Sequence, residues 1–367
     1  MIATMPANRL QWQSSDEHPP GRRARLARRL RSGNLLGWLR SVHDHGNSGL
    51  RVLAYHRVLE RVPGPGFTFD PELVSAGAQA FEQQMAWLRR HYQPVSLAQV
   101  VAHLDAGEPL PQRAVMVTFD DGYDDNHDVA LPILRRHGIP ALFFVSTGHL
   151  DSGLPYAYDW LYHMLHATRA RRCTIPELQL DAGIDADPAQ RHGFASGVLH
   201  RLKSLDADAQ DAIIERLEQA WDMPRTQGHP LCRPMSWAQV RALRDAGMDI
   251  GGHGVHHRML AKLPQAQMEW EVAHSHRRIT EELGTAPLAM SYPVGGHDAS
   301  DARVQRAAEQ AGYRLAFTYL SGMPRGLHER RYALPRLPVE RQMDEAWFAA
   351  MLAAPDWFAY PSRRRGG

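Results

Sequence analysis

The sequence predicts an α/β protein built on a parallel sheet, either open or closed into a barrel. Three observations predict it. From residue 50 onward, short apolar runs alternate with longer amphipathic stretches. Two of those runs, Ala114–Phe119 (AVMVTF) and Ala141–Ser146 (ALFFVS), are apolar almost throughout, as strands buried on both faces are. The amphipathic stretches stop at glycines, as helices do. Repeated βα units of this kind imply parallel strands joined by crossover helices.

The elements follow in order. Residues 1–20 are polar and proline-containing and are expected to be disordered. Residues 22–40 carry seven arginines and no acid, with Leu26, Leu30, Leu35, Leu36 and Leu39 at helical spacing and Trp38 beside them. Such a basic amphipathic helix suits peripheral contact with an anionic surface, here the inner membrane. The alternative is a solvated helix that packs its leucine side on the main domain. Leu50–Tyr55 reads as a strand. Ala78–Arg90 reads as a helix with Phe81, Met85 and Leu88 on one face. A helix around 127–137 ends at Gly138, before the Ala141–Ser146 strand.

Residues 151–235 break the rhythm. They are rich in helix formers and predict a helical insertion between two βα units. Ser236 and Gln239 form a capping-box pattern that opens a helix ending at Gly247. A strand at 248–252, a helix at 265–283 before Gly284, a strand at 288–292, a helix at 301–311 and a strand at 314–318 complete the series. The main domain is placed at 49–345, after a tail and basic helix at 1–48. Residues 346–367 are expected to be a C-terminal tail.

Composition excludes several classes. The 367 residues are 44% hydrophobic and 22% charged, an ordinary globular balance. A formal net charge of +2 gives no global argument for nucleic acid. No run of about 18 apolar residues predicts a membrane span. The first 21 residues have no apolar h-region, so no secretory signal is expected. Two cysteines, Cys173 and Cys232, match no metal spacing and make no disulfide framework. The expectation is a cytoplasmic protein, peripheral at the inner membrane through 22–40.

Two clusters carry chemistry. TFDDGYDDN (118–126) directly follows a buried strand, where parallel sheets and barrels place their sites. Adjacent Asp120 and Asp121 would repel if both were ionised and unpaired. A metal resolves this when one carboxylate binds it and the other stays free as a base. A bare DDG is also a common turn. GGHGVHHRML (251–260) places His253 and His257 four apart after a predicted strand. Two imidazoles there can converge on one cation. His256 is expected to point away. One Asp and two His leave open positions, the mark of a catalytic metal site. N and O donors suit Zn²⁺; Co²⁺, Ni²⁺ or Fe²⁺ also suit them.

In their order, TFDDGYDDN, HGVHH and SYPVG (291–295) resemble the polysaccharide deacetylase family. This is carbohydrate esterase family four, with the NodB-homology domain. LAYHRV (53–58), FEQQMAWLRRHYQPVSL (81–97) and ALPRLPV (333–339) resemble its exopolysaccharide and poly-N-acetylglucosamine deacetylase branch. The resemblance covers about 50–345 apart from the insertion and implies a distorted (β/α)7 barrel. It implies Asp120 as general base, and Asp121, His253 and His257 as ligands to a divalent metal. It also implies that the N–H of Val294 completes an oxyanion hole, with Pro293 shaping the loop.

Two departures stand out. The family often has Arg where this chain has Ser291, and Arg336 is the candidate substitute partner of Asp120. The usual late Leu-x-x-His motif is missing, and His56 is the candidate general acid. Tyr123, Tyr292, Pro293, Trp160 and Trp237 are candidates for contact with sugar, with core packing the better reading for Trp237. The expected activity is metal-dependent removal of N-acetyl groups from amino sugars of a bacterial polysaccharide or its lipid-linked precursor. The alternatives are chito-oligosaccharide or peptidoglycan as substrate, or a degenerate barrel that only binds glycan.

Overall fold

The computed structural model describes residues 21–32, 49–64, 66–324 and 326–360. Seven parallel strands form a closed barrel: β1 (Arg51–Tyr55), β2 (Ala114–Phe119), β3 (Ala141–Val145), β4 (Asp249–Gly252), β5 (Ala289–Ser291), β6 (Leu315–Ser321) and β7 (Leu334–Pro338). Neighbours follow chain order. Leu53 of β1 lies opposite both Leu337 of β7 and Val117 of β2, so β1 closes the ring. A two-residue strand, Gln93–Pro94, adds to the start of β2.

Side chains alternate along each strand, and this divides the core in two. Val52, Met116, Leu142, Phe144, Ala289, Leu315, Phe317 and Leu334 pack together inside the barrel. The helix Leu97–Ala106 closes its lower end with Leu97, Val100 and Leu104. The intervening residues, among them Leu53, Tyr55, Val117, Phe119 and Phe143, face the surrounding helices. Both sides are therefore apolar, which is why the strands read as continuous apolar runs.

The expected helices are present as Ala78–His91, Leu131–His137, Trp237–Asp245, Gln265–Leu283 and Ala302–Ala311. Ser236 and Gln239 form the reciprocal capping box. Gly138 and Gly284 end their helices in the left-handed conformation.

The insertion carries three main helices, Ala157–Ala167, Pro188–Leu202 and Ala207–Ala220. It also contains an antiparallel hairpin, Arg172–Ile175 with Leu180–Gly183, that the helical expectation omits. Both cysteines are free and buried. They belong to the insertion's own core, with Trp160, Leu161 and Ile213.

Residues 345–358 correct the expected tail. Helices Glu345–Ala353 and Pro355–Phe358 pack against the barrel, and every residue from Ala346 to Ala353 is buried. The basic helix Arg22–Ser32 docks on them through Ala24, Ala27 and Leu30, while Leu26 stays 48% exposed. Arg28 pairs with Asp344, and Arg31 with Glu345 at 2.6 Å. The small alanine face docks, because it lets the helices approach closely. Residues 1–20 and the remainder of the 22–40 stretch lie outside the described residues. Among those described, no helix is long and apolar enough to cross a membrane.

Candidate active site

Four strand ends deliver the site. β2 runs into Asp120 and Asp121, β4 into His253, β5 ends at Ser291, and β7 carries Arg336. Asp121 (φ 74°), His257 (φ 54°) and Val294 (φ 65°) adopt left-handed backbone that side-chain-bearing residues rarely occupy. Six non-glycine residues have positive φ among those described, and three of them are here. Such clustering is characteristic of functional sites, where surroundings over-determine a strained backbone. Gly122 follows at φ 78°, and a Cβ there would meet Val145 at 3.0 Å.

Asp121, His253 and His257 converge. Oδ1 of Asp121 lies 3.3 Å from Nε2 of His253 and 3.2 Å from Nε2 of His257. The three donor atoms all lie within 4.8 Å of one another. His253 Nδ1 bonds the Ser291 carbonyl at 2.7 Å. A carbonyl only accepts, so Nδ1 carries the proton and the Nε2 lone pair is directed at the cluster. Asp121 Oδ1 is buried without a hydrogen-bond partner. Burial opposes ionisation of Asp121, but the two imidazoles outweigh it and hold the carboxyl well below its ordinary range. A buried orphan carboxylate oxygen facing two imidazole nitrogens fits a divalent cation of the Zn²⁺ class.

Asp120 is held from the other side. Arg336 Nη1 donates to Oδ1 at 2.7 Å, and Nη2 to Oδ2 at 2.6 Å. The remaining guanidinium protons go to Thr118 Oγ1 (3.1 Å), Ser291 Oγ (2.8 Å) and the Thr318 carbonyl (2.9 Å). All five donors are therefore used, and Arg336 is fully buried. Burial raises the Asp120 pKa, but Arg336 outweighs it and keeps it below the ordinary carboxylate value. Ser291 is small enough to admit the guanidinium from β7 and then accepts one of its protons.

His56 follows β1. Its N–H donates to Ser75 Oγ at 3.0 Å, and its carbonyl accepts from Asn126 Nδ2 at 2.8 Å. Asp125 accepts from the Val58 N–H and from Arg57, each at 2.9 Å. The end of TFDDGYDDN thus anchors the loop that carries His56. Sequence reading assigned those two residues no role. The His56 ring lies 5.0 Å from Tyr319.

His56, Asp120, Asp121, His257, Tyr292 and Val294 share the lining of one cavity of about 1180 Å³. His256 lines the same cavity but stays out of the three-residue cluster, because its ring bonds Glu271, which also accepts the N–H groups of Val255 and His256. Tyr123 must be corrected. It is fully buried, its hydroxyl donates to Asp159 at 2.6 Å, and no face is free for a sugar. Trp160 is likewise core, with its indole N–H on the Met223 carbonyl. Trp237 donates to Asp151 and lies beneath Arg278. Pro293 is buried beneath the loop, next to Gly254, and does not line the cavity. Tyr158 and Tyr319 are, with Tyr360, half-buried tyrosines on its wall. Neither lies in a motif, so spacing gave no signal for them.

Residues 107–316 match the family model described as polysaccharide deacetylase. Over 98 residues the chain is 36% identical to the poly-beta-1,6-N-acetyl-D-glucosamine N-deacetylase of Escherichia coli strain K12, covering 26% of this chain but only 14% of that protein. Among solved structures, the Streptococcus pyogenes deacetylase PplD in complex with acetate is similar with a TM-score of 0.55. It is 17% identical, over 85% of this chain and 99% of that one. IcaB from Ammonifex degensii is similar with a TM-score of 0.53 and 20% identity, over 84% and 97%. At these identities the structural likeness is one of fold, the closed barrel found here.

Proposed function

The chain belongs to the polysaccharide deacetylase family, and from that premise we propose that it removes N-acetyl groups from the amino sugars of a bacterial polysaccharide of the poly-N-acetylglucosamine type, or of its lipid-linked precursor. The observation that carries the reading is Asp120, held by Arg336 outside the cluster, beside the convergent Asp121, His253 and His257. A protein that only binds glycan needs no such base. The name of the Escherichia coli relative supports the choice of glycan.

Asp121, His253 and His257 would hold a divalent cation, Zn²⁺ first among them. When bound, it supplies Lewis acidity and makes a water acidic near neutral pH. Asp120 takes the proton of the attacking water on its carboxylate, with Arg336 fixing both oxygens. The N–H of Val294 donates to the developing oxyanion. His56 gives a proton to the departing amine, and acetate and the free amino sugar result. Tyr292, expected to meet the sugar, is 1% exposed with its hydroxyl on the Tyr332 carbonyl, so it backs the cavity wall from within the core.

Acetate release from N-acetylglucosamine oligomers tests this. Asp120→Asn is expected to lose at least about 100-fold. The chelated wild type is expected to be inactive until Zn²⁺ is returned. Full activity in either sample overturns the reading. The proposed place of work is the inner membrane face, reached through 22–40. Its described part leaves Arg22, Arg25 and Leu26 exposed. Co-sedimentation with anionic but not neutral vesicles is the expected result.

A further inference from the structure

The two segments that bear Asp121 and His257 meet the insertion as well as each other. Tyr156, just ahead of the helix Ala157–Ala167, donates its hydroxyl to the backbone carbonyl of Asp121 at 2.5 Å. Its ring lies 5.2 Å from the His257 ring. Tyr158 stacks on Tyr156 at 5.3 Å and lies 5.2 Å from His257. One aromatic pair from the insertion therefore touches both segments.

Further links run in parallel. On the aspartate side, the Met235 N–H donates to the Gly122 carbonyl at 2.8 Å, and the Asp124 N–H to the Arg233 carbonyl at 3.0 Å. On the histidine side, Arg258 pairs with Asp211 at 2.6 Å and Asp208 at 3.3 Å, both on the helix Ala207–Ala220. Lys262 donates to the Lys203 carbonyl at 2.7 Å. Asp121 and His257 both sit at positive φ, a conformation that persists only where neighbours enforce it.

We propose that the insertion is a clamp that pre-forms the cation site, with Tyr156 as the positioning residue tying Asp121 to His257. The inference rests on reading Asp121, His253 and His257 as that site. Its cause is structural pre-organisation. Without the Tyr156 hydroxyl the Asp121 peptide loses its anchor, and the carboxylate no longer meets the imidazoles at a fixed distance.

The test titrates Zn²⁺ into chelator-stripped full-length protein against a competing metal dye, with melting of the stripped proteins recorded alongside. Tyr156→Phe keeps the ring and removes the hydroxyl. It is expected to weaken Zn²⁺ binding about tenfold, with the stripped variant melting close to wild type. Binding within about twofold of wild type overturns the clamp. Should Tyr156→Phe fail to fold, Asp211→Asn, which cuts an exposed tether of Arg258, carries the same test with a threefold weakening expected, roughly. Unchanged binding there again overturns it. If wild type binds no Zn²⁺, the cation reading itself fails. If wild type binds and the variants match it, only the clamp fails.

Discussion

At the scale of residues, the buried Asp120–Arg336 pair ties β7 to the end of β2. Removing one partner of a buried pair leaves an uncompensated charge, so Arg336→Leu is expected to cost about 3–5 kcal/mol in urea unfolding. The sign of the pH dependence follows from the depressed carboxyl. Its stabilisation is complete above the ordinary carboxylate value and is lost as pH falls through the lower folded value. In any variant that folds without Arg336, burial dominates. The acid limb of its pH–rate profile is expected to move to higher pH.

Asp159 shows the opposite case. Burial pushes it up to about 7, against the Tyr123 hydroxyl and Arg57. The folded state then loses stability as pH rises from the ordinary carboxylate value through about 7. The melting advantage of Asp159→Asn over wild type is expected to grow from about pH 5 to about pH 8. Val294 separates main chain from side chain. Its proposed role is an N–H, so Val294→Gly is expected to relieve about 1 kcal/mol of backbone strain while acetate release survives.

Much of this scale was legible beforehand. Asp120 with Asp121, and His253 with His257, stand in two short motifs at strand ends, and local spacing groups each pair; the resemblance to the family joins the two. The approach of Arg336 to Asp120 joins residues 216 apart, and only the closure of the barrel brings them together. Tyr123 failed for a related reason. Its place in the motif brings it near the site, but its side chain points into the insertion's core, and periodicity cannot register that direction.

At the scale of elements, six of the seven barrel strands were legible because both faces are apolar, whereas β7, which carries Pro335, Arg336 and Pro338, was not among the strands read. Glycine stops and the Ser236–Gln239 box marked the helix ends. The hairpin in the insertion was not, because its strands are short and half exposed. The helix Glu345–Ala353 was missed because it has no polar face. Glu345–Ala353 is buried all round, so it carries no helical periodicity to detect. Phe348 is fully buried there, and Phe348→Ala is expected to cost about 3–5 kcal/mol in chemical unfolding.

At the scale of the whole molecule, the barrel ring fixes what else can change. β1 is bonded to both its successor and the last strand, so first and last elements are neighbours. The flanking helices repeat that adjacency, with Arg23 Nε donating to the Trp357 carbonyl at 3.3 Å. The order in which the polypeptide is written is therefore not a property of the barrel. A circular permutant that links Tyr360 to Gly21 and opens at the exposed Asp185–Ala186 loop should assemble the same ring. It would present the residues proposed to hold the cation in rearranged chain order, His253 and His257 now preceding Asp121.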